Sequence, residues 1–241
     1  GNWDYFVEGA YQWGEAARLG ELFKIATPFG VYGDDDAQYA ELGLDAEVGY
    51  TFSDVAWSPR LFVGGTYFSG DDNRDISFLE WVNPFFTPEA STAFNRLFSM
   101  TYYAPVIIDN THMSNFSELR AGVVFVPHEK WWVRLRAAEF WANGTFDWPL
   151  SVQIRDRRIP VVPFLPFLTE ESDDNLGTTL ETVIKYNYTE DLLFTFYFGY
   201  LFTKDGLGRD GNFVFNNGTT FSGGTASDDA IYTTFMITLG F

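Results

Sequence analysis

Apolar and polar residues alternate along most of the chain. The clearest run lies between 40 and 52. Ala40, Leu42, Leu44, Ala46, Val48, Tyr50 and Phe52 share one side, and Glu41, Gly43, Asp45, Glu47, Gly49 and Thr51 the other. A period of two puts the two sets on opposite faces of a β-strand. The run is longer than the roughly 5–6 residues usual in soluble sheets. The same period predicts strands near 3–12, 60–67, 118–125, 131–141, 179–188, 192–202 and 230–241. The most apolar carries Leu192, Phe194, Phe196, Phe198, Tyr200 and Phe202 on one face. The last places Ile231, Thr233, Phe235, Ile237, Leu239 and Phe241 on one face and ends on an aromatic.

The connections alternate in length. Segments 14–37, 69–115, 142–175 and 203–228 are long, and 53–58, 127–130 and 189–191 are short. Transmembrane barrels have short periplasmic turns and long extracellular loops. With Phe241 at the periplasmic rim, every long segment falls outside and every short one in the periplasm. Aromatics mark both rims: Trp57, Trp131, Tyr188 and Phe241 below, and Tyr11, Tyr67, Trp141 and Tyr200 above. Such belts are expected at the two membrane interfaces.

The predicted fold is therefore all-β. It is an antiparallel transmembrane β-barrel of about eight strands, one domain over 1–241, placed in a bacterial outer membrane. Eight strands with both ends periplasmic suffice to close alone, which predicts pairing of 3–11 with 231–239. The interior would then be only wide enough for side chains. Gly9, Gly43, Gly49, Gly64 and Gly199 within the strands fit that reading, as residues that relieve crowding or permit sharp curvature.

Composition narrows the function classes. Aromatic residues make up 20% of the 241 residues, so the chain carries ample apolar surface for lipid. With no cysteine, neither disulfides nor thiolate metal sites exist. No run approaches the about 18 apolar residues that a membrane helix needs. The net charge of −18 argues against nucleic acid. The expected partners are outer-membrane lipid and lipopolysaccharide, with a protein partner or a second copy as further candidates. Gly1 begins inside a patterned segment, and no signal peptide is visible.

Three segments carry a family resemblance. They are the run WDYFVEGAYQWG at 3–14, then SGDDN at 69–73 with NPFF at 83–86, and finally LGTTLE at 176–181 leading through Tyr186-Asn187-Tyr188 to Gly199-Tyr200-Leu201-Phe202. In this order they resemble the alginate-export family of outer-membrane porins. The resemblance implies a transport barrel in which these segments belong to the later part of a larger wall. The family's earlier strands are absent here, and the loop at 203–228 is longer than the family pattern.

The inward charges are the functional lead. Glu41, Asp45, Glu47, Glu118 and Glu181 are acidic, with Asp4 and Glu8 on the first strand. Arg60, Arg120, Arg134, Arg136 and Lys185 are basic. Acids gather on the first two strands and arginines on the fourth and fifth. Two readings are open. The charges line a pore and select charged solutes, anionic saccharides among them, or they pair to fill a plugged lumen and the barrel serves as a structural or interaction module.

Other chemistry is sparse. The loop acids Asp34, Asp35, Asp36, Asp71, Asp72, Glu170, Glu171, Asp173, Asp174, Asp228 and Asp229 could supply oxygen ligands to Ca²⁺, or stand solvated. No other cofactor is expected. Arg155, Arg157 and Arg158 form a basic loop stretch, followed by the proline-rich IPVVPFLPFL at 159–168, which is unsuited to a central strand. Of the two histidines, His128 lies in a predicted periplasmic turn and His112 in a loop near Asp109 and Ser114, where nothing in the sequence puts them within hydrogen-bond reach, so the chain is not expected to be an enzyme. Asn115, Asn143, Asn187 and Asn217 match the N-glycosylation pattern, a match that is incidental in a bacterial outer membrane.

Overall fold

The computed structural model describes residues 2–17, 22–27, 30–33, 36–70, 78–79, 94, 114–149, 151–154, 157–160, 168–216, 219–223 and 228–240. Side chains are described except at 16–39, 148–160, 169 and 214–222. Asp34, Asp35, Asp71, Asp72, His112, Arg155, Asn217 and Phe241 lie outside the described residues.

Sixteen strands occur among the described residues: β1 (Trp3–Ala17), β2 (Leu22–Thr27), β3 (Gly30–Gly33), β4 (Asp36–Thr51), β5 (Arg60–Phe68), β6 (Phe116–His128), β7 (Trp131–Ala142), β8 (Trp148–Pro149), β9 (Ser151–Ile154), β10 (Arg157–Pro160), β11 (Thr169–Glu170), β12 (Asn175–Asn187), β13 (Leu192–Thr203), β14 (Asn212–Asn216), β15 (Thr219–Ser222) and β16 (Ala230–Leu239). Eight form one antiparallel sheet in the order β1-β4-β5-β6-β7-β12-β13-β16. These are the eight strands expected from the alternation. The remaining strands pair inside the long connections: β2 with β3, β9 with β10 and β14 with β15 as small hairpins, and β8 with β11 across the segment that holds β9 and β10. Pro160 ends one of these hairpins and stays out of the main sheet.

The faces follow the sequence parity. On β4, Glu41, Gly43 and Gly49 are buried while Leu42, Leu44 and Val48 are exposed. On β12, Thr179, Glu181 and Val183 are buried and Leu180 is exposed. The more buried face is polar in its middle and is called the inner face below. The outer face is apolar and open, which suits lipid.

β1 and β4 run further than the pattern suggests. They stay paired to Ala17 opposite Asp36, whereas β4 leaves β5 at Gly43 opposite Phe68. Strict alternation is imposed only where one face meets lipid. The added length lies at the loop end, where the backbone can stay paired without it.

One row of directly opposed residues crosses the whole sheet: Asp4, Gly49, Phe62, Gly122, Arg136, Glu181, Gly199, Tyr232. It starts one residue from the short-turn end of β1 and leaves near the long-loop end of β16. A line perpendicular to the strands thus climbs across the wall. The strands are tilted in one sense, as closure of a sheet into a barrel requires.

The expected pairing of 3–11 with 231–239 does not occur among the described residues. There β1 is bonded to β4 alone and β16 to β13 alone. Both faces of the first strand are open: Tyr5 is 82% exposed and Phe6, on the other face, 43%. The described strands therefore form a tilted wall with two free edges. An even strand count with matching ends permits closure, but ring size also depends on how sharply the wall curves, which strand count does not encode.

Candidate functional site: the inner face

Three layers are stacked along the inner face. The layer nearest the long loops is apolar. Phe68, Phe116, Phe140, Ala138, Ala142 and Leu176 come from the strands, and Phe94 and Phe213 from the loops above them. Phe94 stacks on Phe68 with centroids 5.2 Å apart. Its ring occupies the space over Gly43 that a side chain there would need. Asparagine side chains tie the loops down by imitating backbone. Asn115 Nδ2 donates to Gly144 O at 2.8 Å and Asn115 Oδ1 accepts from Gly144 N at 2.6 Å. Asn212 Nδ2 donates to Phe146 O at 3.0 Å, and Asn143 Nδ2 to Phe68 O at 2.7 Å. Asn115 and Asn143 are thus structural.

Above this layer, Thr145, Asp147, Glu171, Ser172, Asp173, Asp174 and Asp210 line a cleft of about 540 Å³. Among the described residues, no group of three or more acids or histidines converges as a metal site requires. His128 sits at the β6–β7 turn, where its Nδ1 accepts from Lys130 N at 3.3 Å.

The middle layer is a ladder of ion pairs. Arg60 Nε donates to Asp4 at 2.9 and 3.1 Å, and its Nη1 to Glu47 at 3.0 Å. Arg120 donates to Asp45 at 2.8 Å, Glu47 at 3.2 Å and the Thr66 hydroxyl at 2.8 Å, and lies 3.7 Å from Glu118. Arg136 donates to Glu181 at 2.9 Å and also to Glu118. Glu41 is held beside the strand end by the Ser69 hydroxyl. Glu118, Arg120, Arg136 and Glu181 are all buried. Buried charges demand such pairing, because desolvation of an unpaired ion costs several kcal/mol.

The ladder runs along the wall and not across a lumen. Arg60 on β5 reaches over β4 to Asp4 on β1, and Arg120 on β6 reaches over β5 to β4. Each crosses at a glycine. A Cβ on Gly49 would overlap the Arg60 guanidinium, and one on Gly64 would sit 2.9 Å from Arg120 Nε and 2.7 Å from Ala46 O. The space at Gly49 and Gly64 is therefore filled by arginine. Gly49 and Gly64 thus relieve crowding, as expected, and what they make room for is an arginine side chain.

The third layer lies at the short-turn end. Trp132 and Lys185 are directly opposed on β7 and β12. Lys185 Nζ is 4.9 Å from the Trp132 ring centroid and Arg134 Cζ is 5.9 Å from it, both within cation–π range. Among the described residues neither cation has a carboxylate within ion-pair distance, and Arg134 Nε has no hydrogen-bond partner. The inward charges expected from parity thus separate into two sets. Asp4, Glu41, Asp45, Glu47, Arg60, Glu118, Arg120, Arg136 and Glu181 are bonded within the wall, while among the described residues Arg134, Lys185 and the exposed Glu8 on the first strand are not ion-paired.

Sequence reasoning overlooked Trp132 and the aromatic layer. Inward parity was the available signal for Phe68, Phe116, Trp132 and Phe140. Phe94 and Phe213 sit in loops, where no periodicity marks them.

No curated protein sequence matches the chain. The sequence profile for alginate export matches residues 1–216. A long antiparallel wall with an apolar outer face, a charged inner face and this match together place the chain in the alginate export family, among membrane β-barrel transport proteins.

Proposed function

We propose that this chain forms wall of an outer-membrane channel that passes a charged solute, with an anionic saccharide the best-fitting class. The long connections then face outward and the short turns face the periplasm. The observation that carries the reading is the cation pair Arg134 and Lys185 beside Trp132, not ion-paired on a face whose other arginines are neutralised. Uncompensated positive charge at one end of a polar path attracts anions and raises their local concentration. An indole beside it offers an apolar face to a sugar ring. Lipid and lipopolysaccharide contact the outer face, and no catalytic step is assigned.

A second reading draws on the apolar layer. Phe94 and Phe213 are carried by loops and cover the inner face above the ladder. In that reading the barrel is plugged, and its loops serve a partner. Planar-bilayer recording of the intact protein separates the two. The channel reading expects ion steps with a preference for anions, and Arg134→Glu with Lys185→Glu should move the reversal potential toward cations. Folded protein without steps above background supports the plugged reading. Conductance with an unchanged reversal potential removes these two residues from the path.

A further inference from the structure

We infer that Gly49, and with it Gly64, is a specificity-determining position: its missing side chain is what keeps an arginine flat against the wall and out of the solute path. The inference rests on the channel reading above. Asp4, Gly49 and Phe62 are opposed in one row, and Arg60 lies two residues from Phe62 on β5. To reach Asp4 its guanidinium must pass directly over the β4 backbone. It does so at Gly49, where Nη2, Cζ and Nε all occupy the volume of a Cβ. The same arrangement recurs one row away, where Glu47, Gly64 and Arg120 are opposed on β4, β5 and β6. There Arg120 passes over Gly64 to Glu47 and Asp45.

Two independent crossings share one construction: an acid, a glycine and an arginine on three successive strands, or an arginine one step removed. The three atoms nearest to a methyl group at Gly49 all belong to the far end of a flexible side chain, that of Arg60. The strand pairing can stay while the guanidinium lifts away from Asp4 and Glu47. Formal charge does not change, but one cation moves from the wall toward the passing solute. Gly64 differs, because its Cβ would also meet the Ala46 carbonyl. Gly49 is therefore the cleaner position to alter.

The test compares wild type, Gly49→Ala, Arg60→Gln and the double variant of the intact protein. The first readout is the reversal potential in planar bilayers under a KCl gradient. Gly49→Ala is expected to shift it toward anions, and in the Arg60→Gln background the same change should shift nothing. The second readout does not need conduction: phenylglyoxal modification of Arg60, followed by mass spectrometry of the protein in lipid. Arg60 should react severalfold faster in Gly49→Ala than in wild type. Unchanged Arg60 reactivity overturns the inference, as does an equal shift in the Arg60→Gln background. Faster modification without any ion conductance in wild type would instead uphold the crossing and overturn the channel role on which its selectivity depends.

Discussion

At the scale of single residues, the inner face is governed by the cost of burying charge. Arg136 is held between Glu118 and Glu181, with all three nearly excluded from solvent. Removing one member leaves uncompensated ions. Arg136→Ala is expected to destabilise the protein by about 3–5 kcal/mol, read as a lower urea midpoint for unfolding from lipid vesicles. Arg136→Glu would therefore report on folding, and only Arg134 and Lys185 are suited to charge-reversal tests of selectivity. Sequence parity had grouped all four inward cations of the middle strands and Arg60 as equals. Parity reveals which face a side chain takes. It does not reveal that a guanidinium spans two strands, because that depends on register between strands far apart in the chain. Asp4 and Arg60, or Asp45 and Arg120, meet only once the strands are aligned.

At the scale of elements, legibility followed the solvent. Where a strand has lipid on one side and polar contents on the other, the period of two was strong enough to mark all eight members of the sheet. β4 and β13 show it best. Where a strand extends past that zone, as β1 and β4 do at Ala17 and Asp36, the pattern fades although pairing continues. The hairpins β14–β15 and β9–β10 lie in loops and left no periodic trace. The face assignment makes a direct energetic prediction. Leu44 and Phe196 are exposed on the outer face, so Leu44→Arg and Phe196→Arg should each cost about 2–4 kcal/mol near the midplane. Asp45→Asn should cost much less, because an amide oxygen can still accept from Arg120 and Thr66. Equal losses for the two classes in refolding from denaturant into vesicles would refute the assignment.

At the scale of the whole molecule, the wall is polarised along its axis. Among the described residues, cations without an ion pair lie at the short-turn end, an ion-paired ladder with more carboxylates than guanidiniums in the middle, an aromatic layer above it and an acid-lined cleft outermost. The central claim is that one face of this wall meets solute and the other meets lipid. The chain has no cysteine, so single cysteines can be introduced without background. β16 is the best strand for this, since its residues are accessible on both faces. The measurement is the rate at which Thr233→Cys, Thr234→Cys, Phe235→Cys and Met236→Cys react with a charged, membrane-impermeant thiol reagent in proteoliposomes of the intact protein. The account predicts that Thr234→Cys and Met236→Cys, on the inner face, react rapidly and alter conductance. Thr233→Cys and Phe235→Cys, on the outer face, should be protected by lipid. Equal rates at all four positions, or protection of the inner pair, would contradict it.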